Sequence, residues 1–213
     1  MSTKVLIVTP LYDGKVHWLY LAGLMQSYSK YGNRLQATAR MGSFLPKLRD
    51  LLTADFINSG AEFMACIDAD IGWTEKDLTT LLNHDKDFVS GVYPKKELGR
   101  NDTMIRYTDE TEGELKGAYH VGGGFLVIKR EAVLKMIEVF AETLTYGGDG
   151  SDVGGNVCGL WTPFCGMPSS KNYLAEDYSF CARYRMIAGS KIWVDPTVRL
   201  SHIGEHVYRI SDV

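Results

Sequence analysis

The sequence predicts an α/β fold: a mixed, mostly parallel central sheet flanked by helices. Two observations carry this. Short apolar runs alternate with segments of helical period over residues 1–100, in the order strand, helix, strand, helix, strand, helix, strand. The apolar runs also lack the in–out alternation of a half-solvated sheet, as strands covered on both faces require.

Residues 5–8 are β-branched and apolar, fit for a central strand. Turn chemistry follows at Thr9-Pro10-Leu11-Tyr12-Asp13-Gly14. Residues 16–31 carry apolar side chains at helical spacing and stop at Gly32-Asn33. A second strand is expected over 35–39. A helix over 43–57 has Pro46 in its first turn and Gly60 just beyond its end. Residues 63–67 form the next apolar run. Thr74 and Asp77 have capping-box spacing for a helix reaching about His84, and residues 88–93 read as a strand closed by Pro94.

Beyond residue 100 the pattern changes. Strands are expected over 103–108 and 114–128, the second interrupted by Gly122-Gly123-Gly124, which marks a bulge or a close approach. Residues 130–141 suit a helix. Residues 146–172 read as a long loop, a candidate lid over a bound ligand. A last helix over 176–188 ends at Gly189, followed by short strands over 191–194 and 198–200. No repeat or linker divides the 213 residues, so one domain is expected.

Composition excludes several function classes. Lysine plus arginine number 23 against 26 acids, for a net charge of -3, and no dense basic run suggests a nucleic-acid partner. No segment has the length of a membrane span or the pattern of a signal peptide. A cytoplasmic location is expected. The four cysteines, Cys66, Cys158, Cys165 and Cys181, contain no CxxC pair. Reduced core thiols are the simplest account, with a Cys158–Cys165 loop bridge as the alternative.

The chemistry concentrates where the apolar run 63–67 meets Asp68-Ala69-Asp70. On a strand, residues two apart share a face, so a strand persisting to residue 70 would aim both carboxylates at one spot. Such a pair raises its own pKa values unless a cation neutralises it, and a hard divalent ion suits oxygen ligands. Ligands of open α/β sheets bind at the carboxyl ends of strands, where this pair lies. Two acids capping a turn or the following helix would be the bland alternative.

The ordered set Thr9-Pro10-Leu11-Tyr12, Ile67-Asp68-Ala69-Asp70, Gly122-Gly123-Gly124-Phe125, Glu176-Asp177 and His202-Ile203-Gly204 spans most of the chain. It resembles nucleotide-sugar glycosyltransferases of the GT-A type, whose metal signature is Asp-x-Asp, and among them the amino-terminal modules encoded by chlorella viruses. The resemblance implies a Rossmann-like nucleotide-binding half over 1–100 and an acceptor-binding half over 101–213. Mn²⁺ or Mg²⁺ would be held by Asp68, Asp70 and His202, with Asp68 also able to touch the ribose. Thr9, Tyr12 and Asp13 would hold base and ribose, and Arg49 would lie near the nucleotide, with Arg40 a weaker choice. Gly123 and Gly204 would let backbone approach the donor. Asp177, or Glu176, would act as base on the acceptor hydroxyl or contact the donor sugar. Acids in a first helical turn also simply suit the helix dipole. Lys95 and Lys96 could reach phosphate, but a solvated loop pair is the simpler account.

The expected activity is therefore metal-dependent transfer of a hexose from a UDP-sugar, UDP-glucose or similar, to a glycan hydroxyl. It would act in the host cytoplasm if the source is viral, and within a longer chain if further domains exist. A non-catalytic nucleotide-sugar-binding module is the alternative. His202-Ile203-Gly204-Glu205-His206 also fits H-x-x-E-H, an inverted zinc-protease motif, but only if 201–207 is helical.

Overall fold

The computed structural model describes residues 4–98, 100, 102–147, 156–167 and 170–210. The first half runs β1 (Val5–Leu11), α1 (Trp18–Tyr31), β2 (Leu35–Met41), α2 (Leu45–Ser59), β3 (Phe63–Ile67), β4 (Ile71–Gly72), α3 (Glu75–Asn83) and β5 (Phe88–Val92). The second half begins with β6 (Arg106–Glu112), β7 (Leu115–His120), β8 (Phe125–Lys129) and α4 (Arg130–Leu144). Short strands β9 (Thr145–Gly147), β10 (Asn156–Cys158), β11 (Phe164–Met167) and β12 (Ser170–Leu174) follow. The chain then continues through α5 (Glu176–Met186), β13 (Ile192–Arg199), β14 (Ser201–Ile203) and β15 (Val207–Arg209).

One eight-stranded sheet runs through both halves in the order β2-β1-β3-β8-β5-β13-β7-β6. Strands β2, β1, β3, β5, β13 and β6 point one way, with β8 and β7 opposed. This is the expected mixed α/β architecture. Both faces are covered, which explains the continuous apolar runs. Leu6 and Val8 face one core with Met64, Cys66 and Phe180, whereas Val5 and Ile7 face the other with Ala65, Ile67 and Leu78.

Local chemistry sets the boundaries. Gly60 ends α2 in the left-handed conformation, φ 71°. The Thr74 hydroxyl and Asp77 carboxylate form the capping box of α3. The first strand runs three residues past its expected end, through Pro10. Its β3 neighbour stops at Val8, so from Thr9 onward only β2 is paired with it, and the missing proline N–H costs no ladder bond. Residues 192–199 form one strand, not two, because a register shift between Val194 and Arg199 accommodates Pro196.

Four further readings change. The strand carrying the acidic pair ends at Ile67, and Asp68 to Ile71 turn, Ile71 N donating to Asp68 O at 3.1 Å. The supposed loop 146–172 contains paired strands, β9 with β10 and β11 with β12, and its Trp161 is buried, stacked on Phe180 at 4.0 Å. Residues 148–155 and 168–169 of that lid candidate lie outside the described residues. Cys158 is a free thiol, not half of a bridge. The segment 201–207 is a β-hairpin, not a helix, which removes the zinc-protease reading.

The capping box is exposed and local, so its loss should be small and clean. Thr74→Ala is expected to lower stability by about 1 kcal/mol in urea titration without changing the slope.

Candidate active site

The carboxyl ends of β1 and β3 open onto a cleft of about 500 Å³. Tyr12, Asp13, His17, Asp68, Asp70 and Gly204 are among its lining residues. Apolar walls come from Leu11, Val16, Leu45, Leu48 and Ile203. Tyr12 stands at the rim, 80% exposed. Asp13 pairs with Lys15 at 3.1 Å, which lowers its pKa. Thr9 lies beneath the cleft, fully buried and hydrogen-bonded to the Tyr20 hydroxyl at 2.5 Å.

The turn after β3 sends the two acids to different partners. Asp70 meets Lys96 Nζ at 2.5 Å and His202 Nε2 at 3.7 Å. His202 Nδ1 lies 3.0 Å from the Pro94 carbonyl, so that nitrogen donates to it, and Nε2 is turned toward Asp70. The imidazole arrives on β14, which pairs with β4, and Ile203 N donates to Asp70 O at 2.8 Å. Burial would raise the Asp70 pKa, but hydrogen bonds from His202 and Lys96 hold it at about 2.

Asp68 instead accepts from Arg49 Nη2 at 2.9 and 3.0 Å. Burial pushes its carboxyl up, Arg49 pulls it down, and Asp70 adds repulsion. Arg49 is only 4% exposed. Its Nη1 donates to Gly123 O at 3.1 Å, its Nε lies 3.6 Å from Glu176 Oε1, and its guanidinium stacks over Trp161. A Cβ on Gly123 would sit 2.8 Å from Arg49 Nη2, so the glycine segment exists for close approach to this cation. Asp177 Oδ2 accepts from Gly123 N at 3.2 Å, and Gly124 N donates to the buried Tyr93 hydroxyl at 2.8 Å. Burial and the neighbouring Glu176 raise the Asp177 pKa to about 6.

The predicted residues thus fall into two groups that meet at Asp68. Tyr12, Asp13, Asp70 and Gly204 line the cleft, and His202 stands opposite Asp70 beside it. Arg49, Gly123, Glu176 and Asp177 form a network beside it, with Arg49 and Gly123 buried and the two acids half-buried. Arg40 belongs to neither, because both its Nε and Nη2 bind Asp55 at 2.7 Å. Lys95 donates its N–H to Asp102 O. Lys96, read as solvated, is a partner of Asp70, and its stem lies 3.3 Å from where a Gly204 Cβ would be. Its only sequence signal is its position after a strand's carboxyl end. Tyr93, which holds Gly124 and packs edge-on to His202, carries no sequence signal at all.

Among the described residues no three His, Cys, Asp or Glu side chains are gathered into a metal cage. Asp70 and His202 nonetheless suit one ion. Two ligands each about 2.1 Å from an ion lie about 3–4 Å apart, and an oxygen with an imidazole nitrogen tolerates Mn²⁺ or Mg²⁺. Asp68 would have to share its oxygens between that ion and Arg49.

No protein-family model matches the chain, and no curated protein does. Among solved structures, A197 from STIV is similar over 99% of this chain and 96% of its own, with 16% identity and a TM-score of 0.57. At that identity the likeness establishes a shared fold. UDP-glucose pyrophosphorylase complexed with UDP-glucose aligns over 91% and 90% of the two chains, with 8% identity and a TM-score of 0.48. A glycosyltransferase involved in the glycosylation of the major capsid of PBCV-1 aligns over 65% of each chain, with 8% identity and a TM-score of 0.39.

Two variants test the Arg49 network. Arg49→Met leaves Asp68 and Glu176 without their cation, and Asp68 is partly solvated, so a loss of about 2–3 kcal/mol is expected on chemical unfolding. Gly123→Ala forces a methyl against a guanidinium that cannot withdraw, and is expected to cost about 1–3 kcal/mol.

Proposed function

We propose that the chain is a metal-dependent glycosyltransferase that moves a hexose from a UDP-sugar to a glycan hydroxyl. The observation that carries this is the convergence of Asp70 and His202, far apart in the sequence, at 3.7 Å beside a cleft at the strand carboxyl ends that Asp70 lines. The residue order described above, which resembles GT-A enzymes, supports the same reading.

In this reading Tyr12 and Asp13 at the rim take the base and ribose, the ring by stacking and the carboxylate by accepting from the imide N–H. Asp70 and His202, with Asp68, hold Mn²⁺ or Mg²⁺, which when bound neutralises charge developing on the departing UDP. Lys96 adds a fixed positive charge beside the diphosphate. Asp177 takes the proton of the acceptor hydroxyl while that oxygen bonds to the anomeric carbon and the bond from that carbon to the diphosphate breaks. The backbone N–H of Gly123 orients the carboxylate for this step. Residues 1–100 then form the nucleotide-binding half and 101–213 the acceptor-binding half.

Calorimetry of UDP binding with and without Mn²⁺ tests the metal site. Wild type is expected to bind more tightly with Mn²⁺, and Asp70→Ala to lose that difference. Equal affinities in both proteins, with and without the ion, would overturn the proposal. Turnover of UDP-glucose, with release of UDP, separates an enzyme from a binding module.

A base must be ionised, and the Asp177 pKa is raised to about 6, so activity should be lost as pH falls through 6. The kcat–pH profile is expected to show that acidic limb, and Asp177→Asn to lower kcat by about 10²–10⁴.

A further inference from the structure

A second cluster of charge lies next to α5, outside the cleft. The Arg106 guanidinium on β6 and the Arg185 guanidinium on α5 both pack on the Tyr119 ring of β7, at 5.2 and 4.4 Å from its centroid. Both arginines are exposed, and the ring is 44% exposed. Among the described residues, neither guanidinium is joined to a carboxylate. Glu110 lines a small cavity with Arg185, and its carboxylate is taken by Lys191 at 3.3 Å.

The cluster is continuous with the two acids of α5. His120, which follows Tyr119, stacks on Tyr178 at 3.7 Å, and Tyr178 directly follows Asp177. Residues 178 and 185 are seven apart on α5, two turns along one helix face. Burial first, and then the charges of Arg106 and Arg185, lower the His120 pKa to about 4. The imidazole is therefore neutral, and it feels both cations.

Two guanidiniums held on one ring, at most about 10 Å apart and without a carboxylate partner among the described residues, repel, and packing on Tyr119 leaves their charge uncompensated. An anion bound between them relieves the repulsion through charge-assisted hydrogen bonds. We propose that Arg106 and Arg185, held on Tyr119, form an anion-binding site, and that the acceptor carries a carboxylate or phosphate group near the hydroxyl that receives the sugar. The identity of the site as an acceptor subsite rests on the transferase reading. The anion site itself does not.

The test uses the full chain without UDP or metal. Glucose, glucuronic acid and glucose 6-phosphate are titrated by calorimetry at low salt into wild type and an Arg106→Gln/Arg185→Gln double variant. One or both charged sugars are expected to bind wild type more tightly than glucose, and the double variant to lose about tenfold or more of that affinity. Preference for glucuronic acid names a carboxylate, and preference for glucose 6-phosphate names a phosphate. Glucose binding as tightly as both charged sugars, or charged sugars binding the double variant like wild type, overturns the site. The same titrations in Asp70→Ala are expected to be unchanged. UDP affinity with Mn²⁺ is expected to survive in the double variant, so failure of the transferase reading is distinguishable from failure of this one.

Discussion

A single buried cation holds the site residues in register. The Arg49 guanidinium, carried on α2, binds the carboxylate at the end of β3, the carbonyl of Gly123 and, more loosely, Glu176 at the start of α5. Burial by itself disfavours a charged arginine, yet the surrounding acids push its pKa above the ordinary value. The interaction is mutual. Asp68, Glu176 and Asp177 are three acids in one buried region, and Glu176 and Asp70 already push their neighbours up. Without a positive centre among them, at least one would have to take a proton or swing out to solvent. The glycine segment follows from the same constraint, because only a residue without Cβ lets the backbone lie against the guanidinium plane.

This division of labour gives Asp68 and Asp70 opposite characters despite their shared side chain. Asp68 is committed to the interior and its pKa is raised. Asp70 faces Lys96 and His202, and its pKa is lowered to about 2. One carboxylate fixes the geometry of the turn, and the other stays ionised over the whole physiological range. A turn achieves this where a straight strand would not, because it separates two side chains that β geometry would have kept on one face.

Much of this architecture was legible in the sequence for physical reasons. Continuous apolar runs at 5–8, 63–67 and 88–92 announce strands with two covered faces, and Thr74 with Asp77 announces a helix start. The carboxyl end of the third strand stood out as a candidate site because residues two apart on a strand share a face and open α/β sheets bind ligands at that end. What escaped were features set by tertiary approach. Nothing local shows that Arg49 lies flat against Gly123, 74 positions away. Nothing distinguishes Lys96 from Lys95 until Pro94 and Gly204 fix its path. The segment 146–172 reads as loop because its Gly and Ser content hides Trp161, whose burial depends on Phe180 from α5.

The strand that brings His202 to Asp70 comes late in the element order. Strand β14 adds antiparallel to the two-residue β4, with Ser201 opposite Gly72, so closing that ladder joins segments about 130 positions apart. Loop closure over such a span is entropically late, and a two-residue edge offers little to nucleate it. Until that ladder closes, Asp70 has Lys96 but not His202 opposite it, so the register of one short pairing decides whether the imidazole reaches the carboxylate at all.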